Sequence, residues 1–361
     1  ERKLIVVTGK GGTGKSTVAC ALGLIAAGRG LRTVVVEVGQ QHHAADLFDD
    51  ELPGSDGRSS VESSGFLEHT HEAHAGERAH HNHHRGHGEE VELGENLWST
   101  SIDPDRAMIE WLQTLTGRIS ARLLAASSTF HYFAAAAPGA KELVSLIKVR
   151  ELCEGRGATG RAASDSRRKR RGGAPYDLVV LDAPATGHAL AMLRSPQTFS
   201  SIVRVGPLAE QAGKARQLLE DPRRSGYVAV THASEMAVTE TLELEEGLRR
   251  ELDRDLDAVV VNGALPRRFT REELGRIEAL EVERTATLDG DVKILSSAVQ
   301  VARTSYERAR VQQSQIARLR RQRFAGGAPP AVLTVPFAFV SELDLTAIRD
   351  ISGVLERKLE R

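Results

Sequence analysis

The chain holds 361 residues, about two domains' worth at roughly 150 residues each, and its 40% hydrophobic and 27% charged residues describe an ordinary water-soluble fold. Its 48 Lys and Arg against 49 Asp and Glu leave a net charge of −1, which excludes a surface that is positive throughout, as general binding of nucleic acid or anionic lipid requires. Only two cysteines are present, Cys20 and Cys153, which excludes a disulfide-stapled scaffold and any thiolate metal site of three or four cysteines from one chain.

In chain order, residues 4–8 (LIVVT) are a β-branched run ending in glycine, the pattern of a strand covered on both faces. Residues 16–28 (STVACALGLIAAG) are helix formers stopped by Gly28 and Gly30, and 33–38 (TVVVEV) form a second buried strand. This β-loop-α-β opening predicts a parallel α/β sheet. Further apolar strands are predicted at 176–181, 227–231, 258–262 and 331–335, with helices around 105–115, 141–154, 208–219, 238–252 and 304–323. The expected fold class is α/β, a doubly wound and mostly parallel sheet of about six strands. It forms one domain over 1–361 with a helical subdomain inserted over 100–155.

Two segments break the pattern. Residues 54–92 hold eight of the thirteen histidines, between His69 and His87, and few large apolar residues after Leu67, so a disordered loop is expected. Residues 155–173 carry Arg167, Arg168, Lys169, Arg170 and Arg171 among Gly, Ser and Ala, the composition of a second disordered, basic loop. No apolar run reaches the ~18–20 residues of a membrane span, and the start of the chain does not read as a signal peptide. No stable membrane insertion is expected, and the expected compartment is the cytoplasm.

Between the first strand and first helix, residues 9–17 read GKGGTGKST, matching G-x-x-x-x-G-K-[ST]. Glycines at this place let the N–H groups of Gly11, Gly12, Thr13 and Gly14 converge on phosphates, and the following helix adds its positive end. Lys15 is the candidate for the β- and γ-phosphates of ATP, Ser16 for Mg²⁺, and Thr17 for the α-phosphate. Asp182 ends a predicted strand, where a carboxylate can hold the Mg²⁺ water shell.

Lys10, directly after the first glycine and followed by GGTGK, resembles the deviant phosphate loop of the MinD, ParA, ArsA and nitrogenase iron-protein group. The resemblance implies that Lys10 reaches a partner's nucleotide, in a homodimer or in a heterodimer with a paralogous ATPase. Residues 182–188 (DAPATGH) resemble the D-[TS]-A-P-T-G-H segment of the ArsA family, the anion-pump ATPases and their tail-anchored-protein targeting relatives, with the proline one place early. In that family Gly187 would face the γ-phosphate; His188 is either a catalytic or a core histidine. Asn262, after a predicted strand, matches the family's adenine-edge asparagine, and Pro336 with Phe337 match its adenine-packing loop. Residues 97–108 and 134–149 resemble, respectively, the strand that follows the first switch and the helical segment near the client surface.

Departures from the family bear on mechanism. The aspartate expected after the second strand to position the attacking water falls on Gly39; Glu37 is the nearest carboxylate and Asp46 the next. The CxxC of the targeting members and the arsenite-binding cysteine cluster of the pumps are both absent, and the chain holds one ATPase half rather than two. The reading is a Mg²⁺-dependent, ATP-hydrolysing dimeric switch acting on an unidentified client or membrane-protein partner. Two alternatives stay open. One is a metal-centre maturation NTPase or metallochaperone, holding Ni²⁺ or Zn²⁺ on its histidine-rich loop. The other is a MinD- or ParA-like nucleotide-switched scaffold, although residues 354–361 (VLERKLER) offer only Val354, Leu355 and Leu359 as apolar residues, too few to anchor in a membrane, and nucleic acid is not expected as a partner.

Overall fold

The computed structural model describes residues 2–39, 43–48, 88–116, 139–155, 176–202, 207–285, 292–321, 329–340 and 343–360. Strands are β1 (Leu4–Gly9), β2 (Thr33–Val38), β3 (Val91–Gly94), β4 (Leu97–Ile102), β5 (Leu178–Ala185), β6 (Ser225–Thr231), β7 (Ala258–Ala264) and β8 (Ala331–Pro336). Helices are α1 (Lys15–Gly28), α2 (His43–Leu47), α3 (Pro104–Thr116), α4 (Ala140–Glu154), α5 (Thr186–Ile202), α6 (Pro207–Glu220), α7 (Glu235–Leu252), α8 (Arg271–Thr285), α9 (Val292–Arg321) and α10 (Leu345–Leu359).

The described strands form one sheet in the order β3-β4-β2-β5-β1-β6-β7-β8. All neighbours run parallel except β3, which closes one edge antiparallel to β4. The α/β expectation therefore holds, with seven parallel strands rather than about six. Hydroxyl side chains explain why β4 is hard to read: Ser99, Thr100 and Ser101 interrupt its apolar run, yet all three are buried. Ser101 meets the cost of that burial by donating its hydroxyl to the Gly39 carbonyl at 2.7 Å.

Both faces of the sheet are covered, which is why its strands read as continuous apolar runs. Val35 of β2 turns toward α1 and α10, where it shares a core with Val18, Ile25, Ile348 and Leu355. Val34 and Val36 turn the other way, into a core with Val144, Leu146, Leu193 and Leu244 from α4, α5 and α7. On α10, Ile348, Ile351 and Leu355 recur at helical spacing, and Asp344 caps the helix by accepting the Ala347 N–H at 2.8 Å. Leu355 is fully buried, so the terminal helix spends its apolar face on the core rather than offering it to a membrane. No described helix is long and apolar enough to cross one.

What matters for the site is the place of β5. It inserts between β1 and β2, putting Val7 and Glu37 on either side of Asp182 in register. The segments leaving β1, β2 and β5 thus emerge side by side at one edge of the sheet, the carboxyl edge where open α/β sheets bind ligands.

Candidate nucleotide site

At that edge β1 ends in Gly9 and the chain turns through residues 10–14 into α1. Gly14 ends the turn at φ 87°, a left-handed conformation that favours glycine, and a Cβ there would lie 2.3 Å from Asn262 Nδ2. The turn is laced from within. Asn262 donates its amide to the Thr13 carbonyl at 2.9 Å, while the Thr13 hydroxyl lies 2.8 Å from the Lys10 carbonyl and 3.1 Å from that of Val230. The Lys15 ammonium donates to the Lys10 carbonyl at 3.3 Å. No side chain caps α1, so its first N–H groups face the turn with the positive end of the helix.

Two carboxyls stand opposite. Ser16 donates its hydroxyl to Asp182 Oδ2 at 2.5 Å, while the buried Oδ1 has no hydrogen-bond partner among the described residues, and neither has the buried Thr186 hydroxyl. Burial pushes the Asp182 pKa up, against the opposing pull of the Ser16 hydroxyl and the charges of Lys15 and His43. On the neighbouring strand Glu37 is only 5% exposed. Burial, opposed by the N–H of Ala44 and aided by the charge of Asp182, raises its pKa to about 8. The Ala44 N–H lies 3.3 Å from both Glu37 oxygens, so the carboxyl braces the start of α2. Gly39 lies just beyond, at φ 129°. An aspartate at that place would be strained, which accounts physically for glycine there.

Together these groups enclose a cleft of about 530 Å³, lined by Gly12, Gly14, Lys15, Ser16, Thr17, Glu37, His43, Asp182 and Pro184 among others. The sequence-derived candidates are spread over several places. Gly12, Gly14, Lys15, Ser16, Thr17, Glu37 and Asp182 line the cleft. Asn262, Pro336 and Phe337 stand at the ends of β7 and β8; Phe337 donates its N–H to Ala264 at 3.0 Å and its half-exposed ring meets Phe339 edge-on at 4.9 Å. Gly11 is exposed on the turn, and Gly187 and His188 are exposed in the first turn of α5, so His188 is not a core histidine. Asp46 is exposed on α2 and is not among the cleft-lining residues.

Sequence reasoning missed His43, which lines the cleft, and Glu240 of α7, which forms an ion pair with Lys10. Neither has a local signature, because each is brought in by tertiary contacts. The clustered histidines and Arg167 to Arg171 lie outside the described residues. Among the described residues no group of three His, Cys, Asp or Glu is placed to hold a metal. An Mg²⁺ held by one serine, one aspartate and phosphate oxygens is a different kind of site. The orphaned Asp182 Oδ1 beside Ser16 fits such a hard, oxygen-seeking ion.

The sequence profile of the CobQ/CobB/MinD/ParA nucleotide-binding domain matches residues 4–274. Among relatives, the ATPase BagA of Mycobacterium tuberculosis is 26% identical over 299 residues, covering 81% of this chain and 75% of that protein. A Halobacterium salinarum protein provisionally named an arsenical pump-driving ATPase is 24% identical over 284 residues, 74% of this chain and 36% of that protein. The ATPase GET3C of Arabidopsis thaliana is 23% identical over 312 residues, 74% of this chain and 68% of that protein.

Proposed function

The chain belongs to the CobQ/CobB/MinD/ParA nucleotide-binding family, as an ATPase of its ArsA branch, and from that premise we propose a Mg²⁺-dependent switch that hydrolyses ATP between two subunits and acts on a client. The observation that carries the proposal is the pairing of Ser16 with Asp182 beside a glycine turn and Lys15, with one Asp182 oxygen left unpartnered. In this reading the N–H groups of Gly11, Gly12, Thr13 and Gly14 bind phosphate oxygens, Lys15 exchanges the Lys10 carbonyl for the β- and γ-phosphates, and Thr17 reaches the α-phosphate. Ser16 and Asp182 would hold Mg²⁺, which supplies charge neutralisation at the phosphates. Glu37 lines the same cleft and burial raises its affinity for a proton, so we assign to its carboxylate form the proton of the attacking water. Gly187, exposed at the start of α5, offers its N–H as the nucleotide-sensing contact, while Asn262, Pro336 and Phe337 hold the base.

In this reading the client is not an arsenical held by thiolates of this chain. The chain has two cysteines, both buried. Burial holds the Cys153 thiol at about 12 and pushes Cys20 above the ordinary range, aided by Glu37 and Asp182. Neither offers the thiolate that arsenite needs. The experiment is phosphate release from ATP by the purified chain, with Mg²⁺ and with EDTA, for wild type and Lys15→Ala. Turnover should require Mg²⁺ and fall at least about a hundredfold in the variant; turnover indifferent to both changes refutes the proposal.

A further inference from the structure

Lys10 projects from the tip of the phosphate turn, and in this protomer its ammonium is already engaged. It pairs with Glu240 of α7, both side chains being about one third exposed at 33% and 32%. The pairing follows from topology. β1 and β6 are adjacent and parallel, with Gly9 opposite Val230, so the turn after β1 and the helix after β6 leave the same edge of the sheet together. Neither end of the pair hangs on a loose support. The Lys10 carbonyl accepts from the Lys15 ammonium and lies within hydrogen-bond reach of the Thr13 hydroxyl, so the backbone at residue 10 is tied down and the side chain is the part free to swing. On α7, Val238 is fully buried, and Arg318 of α9 donates to the Thr239 hydroxyl at 3.1 Å, one residue from Glu240.

We propose that Glu240 is a positioning residue for Lys10: in the lone protomer its carboxylate clamps the Lys10 ammonium to the protomer's own surface, and dimerisation exchanges that carboxylate for a phosphate of the partner's nucleotide. The clamp stands on this chain's geometry alone; the exchange rests on the dimer reading given above. A carboxylate and a phosphate both seek the same ammonium and repel each other, so one displaces the other rather than sharing it. A pair this exposed holds its lysine by about fivefold. A symmetric dimer must open two such clamps, so removing them favours association by about 25-fold.

The test uses the full chain as wild type, Glu240→Gln, Glu240→Asp, Lys10→Ala and the Lys10→Ala, Glu240→Gln double variant. First, trace acetic anhydride labels the nucleotide-free protein and mass spectrometry reads acylation at Lys10. The rate should rise about fivefold in Glu240→Gln and return toward wild type in Glu240→Asp. Second, sedimentation measures self-association with Mg²⁺ and a non-hydrolysable ATP analogue. Glu240→Gln should dimerise about 25-fold more tightly than wild type, and the same change should do nothing in the Lys10→Ala background, which a merely structural role of Glu240 would not produce. Unchanged labelling of Lys10 overturns the clamp. Faster labelling with no dimer in either protein upholds the clamp and overturns the dimer reading. A wild type that dimerises as tightly as Glu240→Gln, or more tightly, overturns the exchange.

Discussion

Replacing Glu37 by Gln in the nucleotide-free protein separates the cost of burying a charge from every effect of ATP. Glu37 is 5% exposed, and burial raises its pKa from 4.5 to about 8. The folded chain therefore holds this proton more tightly than the unfolded chain does. The stability it contributes is fully present below pH 4.5 and is lost as pH rises through about 8. At about 1.4 kcal/mol per tenfold change in affinity, the full span is about 5 kcal/mol, an order-of-magnitude ceiling. Glutamine has nearly the same shape, carries no charge at any of these pH values, and keeps an oxygen to accept the Ala44 N–H. Urea unfolding at pH 5, 7 and 9 in EDTA is the assay, with stability read at each pH for both proteins. The variant should gain on wild type by about 2–5 kcal/mol between pH 5 and pH 9. Parallel stability curves would refute the reasoning and put Glu37 in water.

Other expectations follow from the same geometry. Asp182→Ala should cut ATP turnover at least about a hundredfold while leaving nucleotide-free stability equal or higher, because it removes a carboxyl whose charged form burial penalises; a stability loss with turnover retained would contradict this. Gly14→Ala forces a side chain into φ 87° and against the Asn262 amide, so binding of a fluorescent ATP analogue should weaken more than about tenfold, with destabilisation of about 1–3 kcal/mol in thermal unfolding. Phe337→Ala should weaken ATP binding while moving stability by no more than about 0.5 kcal/mol, since the ring is half exposed and touches Phe339 edge-on; unaltered affinity would remove this ring from the base site.

The amino-acid sequence by itself determined the features that are local. Continuous apolar runs such as residues 33–38 announced strands covered on both faces, because a parallel sheet leaves no polar face to write into the pattern. The spacing of Gly9, Gly14, Lys15 and Ser16 announced the phosphate turn, because that conformation needs glycine at fixed places. Periodicity also located most of the helices. It missed α2, only five residues long, α5, which begins inside the 182–188 motif and carries Pro196 within it, α8, whose face is thinly apolar, and α10, whose signs are the cap at Asp344 and the buried series Ile348, Ile351 and Leu355. Only the tertiary structure decided the rest. The insertion of β5 between β1 and β2 is what makes Glu37 and Asp182, 145 positions apart in the numbering, neighbours in register. The same packing turns Glu37 into the cleft and joins Lys10 to Glu240 across β1 and β6. Strand order and the direction of a side chain at a strand's end depend on which elements pack together. No residue spacing along the chain carries that information, whereas a turn that only glycine can make is written in the glycine itself.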